Sequence, residues 1–387
     1  MDNVGNPYVP NAGAMPPSLP GRESLLGAFT VSLERIKIGR TAKSLLPYGL
    51  RGVGKTVLIR RFVREAKNKG YLTGLIEADP GIEFIPLLAD QLRRILFSLD
   101  TPAKVQALAK RAMRVLKSFT VKMGLDNISM SLGVDGERGL GDSGDIATDL
   151  GSLFIAIGEA AREQQTAVLI AVDEVQYLKE HEFSALIKAI HQVTQENLPV
   201  LVVATGLPQV LALAGEAKSY AERLFDFRIV GALSEDEARE ALVDPAAVEG
   251  VVFEEDAVRS IFETTRGYPF FLQEWAYAAW NIAQGPSITL DDARNAEKIA
   301  LPKLDDGFFA VRYNRCTNME KRYLRAMANL AEPIRTAEVA TSLGKTLNQT
   351  ATNRDNLIKK GMIWSPDHGQ IAFTVPLFDA FMIRKEP

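Results

Sequence analysis

Cysteine is nearly missing from this 387-residue chain, where Cys316 stands alone. That excludes an internal disulfide and suits a reducing cytoplasm. Histidine is almost as scarce, with only His181, His191 and His368, so a zinc site built from cysteine and histidine is out of reach. No apolar run reaches the roughly eighteen residues that a membrane helix needs, and no membrane partner is expected. The opening stretch MDNVGNPYVPNAGAMPPSLP lacks the basic start and apolar core of a secretion signal. Its five prolines make it read as an extended arm instead. A dominant charge is missing too, with 45 basic against 48 acidic residues and a net −3. The chain is therefore no polycation built to coat nucleic acid, and any nucleic-acid surface has to be a local patch.

What is present is ordinary in bulk and informative in order. A content of 47% hydrophobic and 24% charged residues fits a soluble globular protein with room for two or three domains. Apolar β-rich runs alternate with helical patterns: SLLPYGL (44–50), YLTGLIEAD (71–79), AVLIAVDE (167–174), PVLVVATG (199–206) and FDFRIVGAL (225–233). That alternation predicts an α/β layer fold on a parallel sheet, covered on both faces where a run is wholly apolar. Segments 55–69 and 182–195 carry apolar residues at helical spacing.

The stretch from about 80 to 166 is mostly helical in pattern, but Ile128, Met130, Leu132 and Val134 alternate with small or polar residues. Period two predicts an inserted β-hairpin within 119–145, either a packed ornament or a contact surface. From about 233 the pattern is helical, with acidic or Ser starts and Gly stops. The last segment reads as three short helices and two β-like runs around Pro366-Asp367-His368-Gly369, the pattern of a winged helix-turn-helix.

The chemistry sits in residues 49–56, Gly-Leu-Arg-Gly-Val-Gly-Lys-Thr, which satisfy G-x-x-x-x-G-K-[ST] between an apolar strand and an amphipathic helix. Gly49, Leu50, Arg51, Gly52, Val53 and Gly54 can turn their N–H groups inward as an anion nest at a helix N-terminus. Lys55 reaches phosphate oxygens, and the Thr56 hydroxyl suits Mg²⁺. ATP or ADP with Mg²⁺ is the expected cofactor. Hydrolysis needs a carboxylate at a neighbouring strand end and a base beside it. Asp173 is the expected metal ligand and Glu174 the expected base, in a run AVLIAVDEVQYL that otherwise reads as a helix N-cap.

With these motifs placed, the chain resembles the AAA+ side of the P-loop ATPases. More narrowly it is similar to the origin-recognition-like, archaeal-type and STAND-related group, over residues 20 to 380. The resemblance implies a sheet of strand order 5-1-4-3-2. It also implies an N-terminal arm (1–20), an ATPase core (21–232), a helical lid (233–308) and a C-terminal winged helix (309–387). LPGRESLL (19–26) looks like the family's box at the base-binding edge, which places Arg22 there and gives Tyr8 and Val9 of the arm a contact with adenine. Thr205, ending VVATGLP, matches the polar sensor position. Arg223 in SYAERLFDF matches an arginine offered to the next subunit, which implies a homo-oligomer. Gly267-Tyr268-Pro269 replaces the common lid arginine with a proline lying against the nucleotide, as in STAND and archaeal-type members.

Residues 311–387 carry 12 Lys/Arg and 7 Asp/Glu, a net +5 that leaves −8 for the rest. Such segregation favours duplex DNA as partner. Helix 347–360 is the expected recognition helix, with Asn348, Gln349, Thr352, Asn353 and Arg354 offered to DNA and Lys359 and Lys360 to phosphate. The alternative is a STAND-type signalling or defence ATPase whose winged helix binds protein. A metabolic kinase would leave both the Gly-x-Pro lid and the winged helix unexplained. The expected localisation is cytoplasmic.

Overall fold

The computed structural model describes residues 1–385 except 12, 100–102, 138 and 218–220. Contacts group them into two compact units that do not follow chain order. One is Ser24–Tyr48 with Lys55–Ile229; the other is Met1–Glu23, Gly49–Gly54 and Val230–Pro387.

The first unit is built on parallel strands β1 (Ser44–Tyr48), β2 (Leu72–Glu77), β3 (Val168–Asp173), β4 (Val200–Ala204) and β5 (Phe225–Ile229). β1 pairs with β5, and β3 lies between β2 and β4. A parallel bridge from Tyr48 to Gly206, beside the Gly206 N–H to Pro47 carbonyl bond, joins β1 to the end of β4. The order is therefore β5-β1-β4-β3-β2, as expected. Every residue of β3 and β4 is buried, because their unbroken apolar sequences leave no face for water. Helix Lys55–Asn68 buries Leu58, Ile59, Phe62, Val63 and Ala66 at a spacing of three to four, and Phe62 stacks on Phe29.

The expected β-hairpin is not there, and this is a correction. The chain between β2 and β3 holds helices Phe84–Phe97, Ala103–Lys122, Asp126–Ser131 and Ile146–Glu163, with no strand among the described residues. At the end of the second helix Gly124 (φ 70°) lets the Leu125 N–H reach back to the Thr120 carbonyl at 2.8 Å. The chain restarts at once as a helix whose buried residue Ser129 lies three before buried Leu132, while Met130 faces solvent. Helical spacing decides burial here, and the alternation of apolar residues is incidental. The following loop is tied to the Asp149 carboxylate, which accepts from Ser143 N and Oγ and from Gly144 N.

The second unit contains helices Glu235–Val248, Glu255–Thr265, Pro269–Ile282 and Leu290–Lys303 with a short parallel pair, β6 (Val252–Phe253) and β7 (Ser287–Ile288). Ser234 and Thr289 cap two of these helices in reciprocal boxes with Glu237 and Asp292. The N-terminal arm is fastened to them: the Met1 ammonium donates to Ala283 O at 3.0 Å, Asn6 to Tyr277 O at 3.1 Å, and Trp280 Nε1 to Asp2 O at 3.0 Å. Further on come helices Asn318–Ala328, Thr336–Ser342, Leu347–Lys359 and Phe378–Lys385. Strands β8 (Ile334–Arg335), β9 (Ile363–Trp364) and β10 (Gln370–Phe373) form an antiparallel sheet with β10 in the middle.

Candidate nucleotide-binding site

The phosphate loop is held by main-chain groups far from it in sequence. Gly52 and Gly54 have φ of 83° and 93°, values that a side chain makes costly. A Cβ at Gly49 would lie 2.0 Å from the Val230 carbonyl oxygen, so that position admits only glycine. The Arg22 guanidinium, expected at a base-binding edge, instead donates to the Gly231 carbonyl at 2.6 Å and the Val53 carbonyl at 3.4 Å. The Phe270 N–H donates to Gly52 O at 3.2 Å. Pro269, just before it, opens its helix at a position where a missing N–H costs nothing. Arg51 donates its N–H to Thr374 O at 3.0 Å and its Nε to Gly361 O at 3.4 Å. Thr374 is fully buried, and its own hydroxyl donates to the carbonyls of Gly361 and Met362.

Lys55, which opens the helix after the loop, is buried, and so are Asp173 at the end of β3 and Thr205 just past β4. Thr205 and Thr56 both donate their hydroxyls to the Asp173 carboxylate. Burial pushes the Asp173 carboxyl above the usual carboxylate range, against the pull of the two hydroxyls; Glu174 adds to the rise and the Lys55 ammonium opposes it. The Asp173 carboxylate and the Thr56 hydroxyl in contact with it offer hard oxygen donors. Asp173 and Thr56 therefore fit Mg²⁺.

Glu174 is half-buried and sits in the left-handed region (φ 55°), where the strand breaks into a short turn. Its carboxylate accepts from the amide of Gln176, a residue the sequence reading passed over. Its only sequence signal is being polar in an otherwise apolar stretch.

The remaining expected residues lie apart. Tyr8 is fully buried among the helices of its own unit, edge-on to Phe253 and Trp280, with its hydroxyl donated to Leu242 O. That ring has no face left for a base. Val9 donates its N–H to Gln273 Oε1 at 2.9 Å. Arg223 is exposed on the short helix Ala221–Leu224. On helix Leu347–Lys359, Asn348, Thr352 and Lys359 are exposed and Asn353 is half-buried. Gln349 accepts the Thr346 N–H at 3.0 Å, and Arg354 pairs with Asp355 at 2.9 Å. Lys360 is paired at 2.6 Å with buried Glu320.

Residues 18–203 match the family described as AAA ATPase domain, and residues 306–382 match a domain of unknown function. The Walker-type ATPase of Pyrococcus abyssi aligns with 94% of this chain and 96% of its own at a TM-score of 0.59 and 16% identity, which shows a shared fold. Cdc6p from Pyrobaculum aerophilum aligns over 99% and 97% of the two chains, at a TM-score of 0.48 and 18% identity. The Aeropyrum pernix Orc1 protein, solved in complex with DNA, aligns over 96% and 94% at 0.45 and 16%. In sequence, 84 residues are 34% identical to the signal recognition particle 54 kDa protein of Methanopyrus kandleri. That match spans 22% of this chain and only 18% of the relative's length. Over residues 18–203 the chain is thus similar to AAA ATPase domains, and it shares the fold of a Walker-type ATPase.

Proposed function

We propose that the chain is an ATP-hydrolysing switch that acts on duplex DNA through residues 309–387, read as a winged helix. The observation that carries the hydrolytic part is the cluster at the ends of β3 and β4, where Asp173 receives the hydroxyls of Thr205 and Thr56. Lys55 would neutralise the β- and γ-phosphates. Bound Mg²⁺, held by Thr56 and Asp173, would supply charge neutralisation for the phosphoryl group. Glu174 would take a proton from water as its oxygen attacks the γ-phosphorus and the bond to ADP breaks. Arg223 would act on a neighbouring copy's nucleotide and make turnover depend on assembly, and Pro269 would report occupancy to the lid.

ATP turnover about 100-fold lower in Lys55→Ala and in Glu174→Gln, with a measurable residue, is the expected result; undiminished turnover in either variant overturns this reading. For DNA, gel-shift titrations with ATP, with ADP and without nucleotide should give different affinities that fall with salt. A second reading, docking onto a protein, is favoured by one observation: two cations of the expected DNA surface are already paired, Arg354 with Asp355 and Lys360 with Glu320. Absence of duplex binding at low salt would select it.

A further inference from the structure

We infer that Gln176 is a positioning residue for Glu174, and that it references the proposed base to the loop after β4. The inference rests on the reading of Glu174 as the group that activates water.

Both ends of the Gln176 amide are used. Its Oε1 accepts the Leu207 N–H at 2.9 Å, and its Nε2 donates to Glu174 Oε2. The first bond fixes the second. A main-chain N–H can face only the oxygen of an amide, so the NH₂ end must point away from Leu207 and toward the carboxylate. Glu174 thus meets a donor and never a lone pair. One carboxylate oxygen is held, and the other stays available to a water.

The loop has been shaped around this amide. A Cβ at Gly206 would lie 3.0 Å from Gln176 Oε1 and 3.2 Å from Val175 Cγ1, so a larger residue would press the amide off its site. The loop is itself anchored on both sides: Gly206 N–H donates to Pro47 O at 3.2 Å, and Val175 N–H to Thr205 O at 2.9 Å. Thr205, next in sequence to Gly206, donates to Asp173. One four-residue stretch, Asp173 to Gln176, is therefore bonded at three points to one three-residue stretch, Thr205 to Leu207. Glu174 needs this support more than most carboxylates do. It leaves the sheet at a left-handed residue, where its own strand no longer orients it.

Two variants separate positioning from packing. Gln176→Glu keeps an oxygen for the Leu207 N–H but replaces the donor facing Glu174 with a like charge. Gln176→Leu removes both ends. Each should lower kcat for ATP by about 10-fold, a part of what a general base contributes, while the KM for ATP changes less than about 2-fold. The deciding measurement is a double-mutant cycle on the full chain: in a Glu174→Gln background, Gln176→Glu should cost nothing further. Equal kcat for wild type and both Gln176 variants, or an additional loss in the Glu174→Gln background, overturns the inference. Turnover that survives Glu174→Gln unchanged overturns instead the reading beneath it, and the inference falls with it. Thermal melting of Gln176→Glu checks that a lost kcat is not lost fold.

Discussion

The Thr205 hydroxyl donates to the Asp173 carboxylate, so the end of β4 is tied by a side chain to the end of β3. Neighbouring parallel strands need no such bond to pair. This one serves a buried carboxylate that also accepts from the Thr56 hydroxyl and the Glu174 N–H.

Thr205→Val keeps the shape and removes the donor. Leaving Asp173 short of a partner should destabilise the nucleotide-free protein by about 1–3 kcal/mol. ATP turnover should fall, and Thr205→Ser should restore most of both. Thermal melts and steady-state turnover on the three proteins check this.

Lys360 and Lys359 are adjacent in sequence and have different roles. Lys360→Met strips the partner from Glu320, whose side chain is 2% exposed, and should cost about 1–3 kcal/mol. Lys359, exposed, should matter to stability hardly at all. If the helix meets DNA, Lys359→Gln should flatten the salt dependence of binding by a slope of about one. Lys360→Met should leave that slope unchanged.

Glu320 also predicts an acid limb. Burial alone would raise its carboxyl, but the Lys360 ammonium and the Thr317 donors outweigh burial and hold it below its ordinary value of 4.5. A lowered folded value means that the stability is fully present above 4.5 and is lost as pH falls through the folded value. Melting temperature should therefore fall below about pH 4.5, and less steeply in Glu320→Gln.

Cys316 should be inert in the folded protein. Burial, helped by Glu320, pushes its thiol up to about 11. At pH 8 iodoacetamide should label it only after denaturant is added, as intact-mass spectrometry would show. Labelling of the native chain at the rate of a free thiol would contradict the placement.

Tyr8→Phe tests what the N-terminal arm does. Loss of the bond to Leu242 O should cost about 1 kcal/mol in stability, while ATP affinity stays the same. A change in affinity without a change in melting would return the ring to the adenine.

Much of this was readable in advance, for identifiable reasons. β3 and β4 are unbroken apolar runs, which only a covered sheet accommodates, and the phosphate loop is a contiguous motif in which Gly52 and Gly54 answer to their own positive φ. The helix Asp126–Ser131 was misread because Ile128, Met130 and Leu132 alternate by chance, whereas burial follows Ser129 and Leu132. Gln176 escaped because its partner Leu207 is 31 residues away. The burial of Tyr8 depends on Leu242, 234 residues later. Local patterns carry no information about such partners.

The attachment of Arg51 to the carbonyls of Gly361 and Thr374 bears on how this protein can be cut. Gly361 stands 310 residues beyond Arg51. A fragment ending before Asp306 would keep the whole parallel sheet and every residue of the phosphate motif. It would also present that motif with its arginine released from both carbonyls. Nucleotide affinities taken from such a fragment would describe a loop without the two main-chain anchors it has in the 387-residue chain.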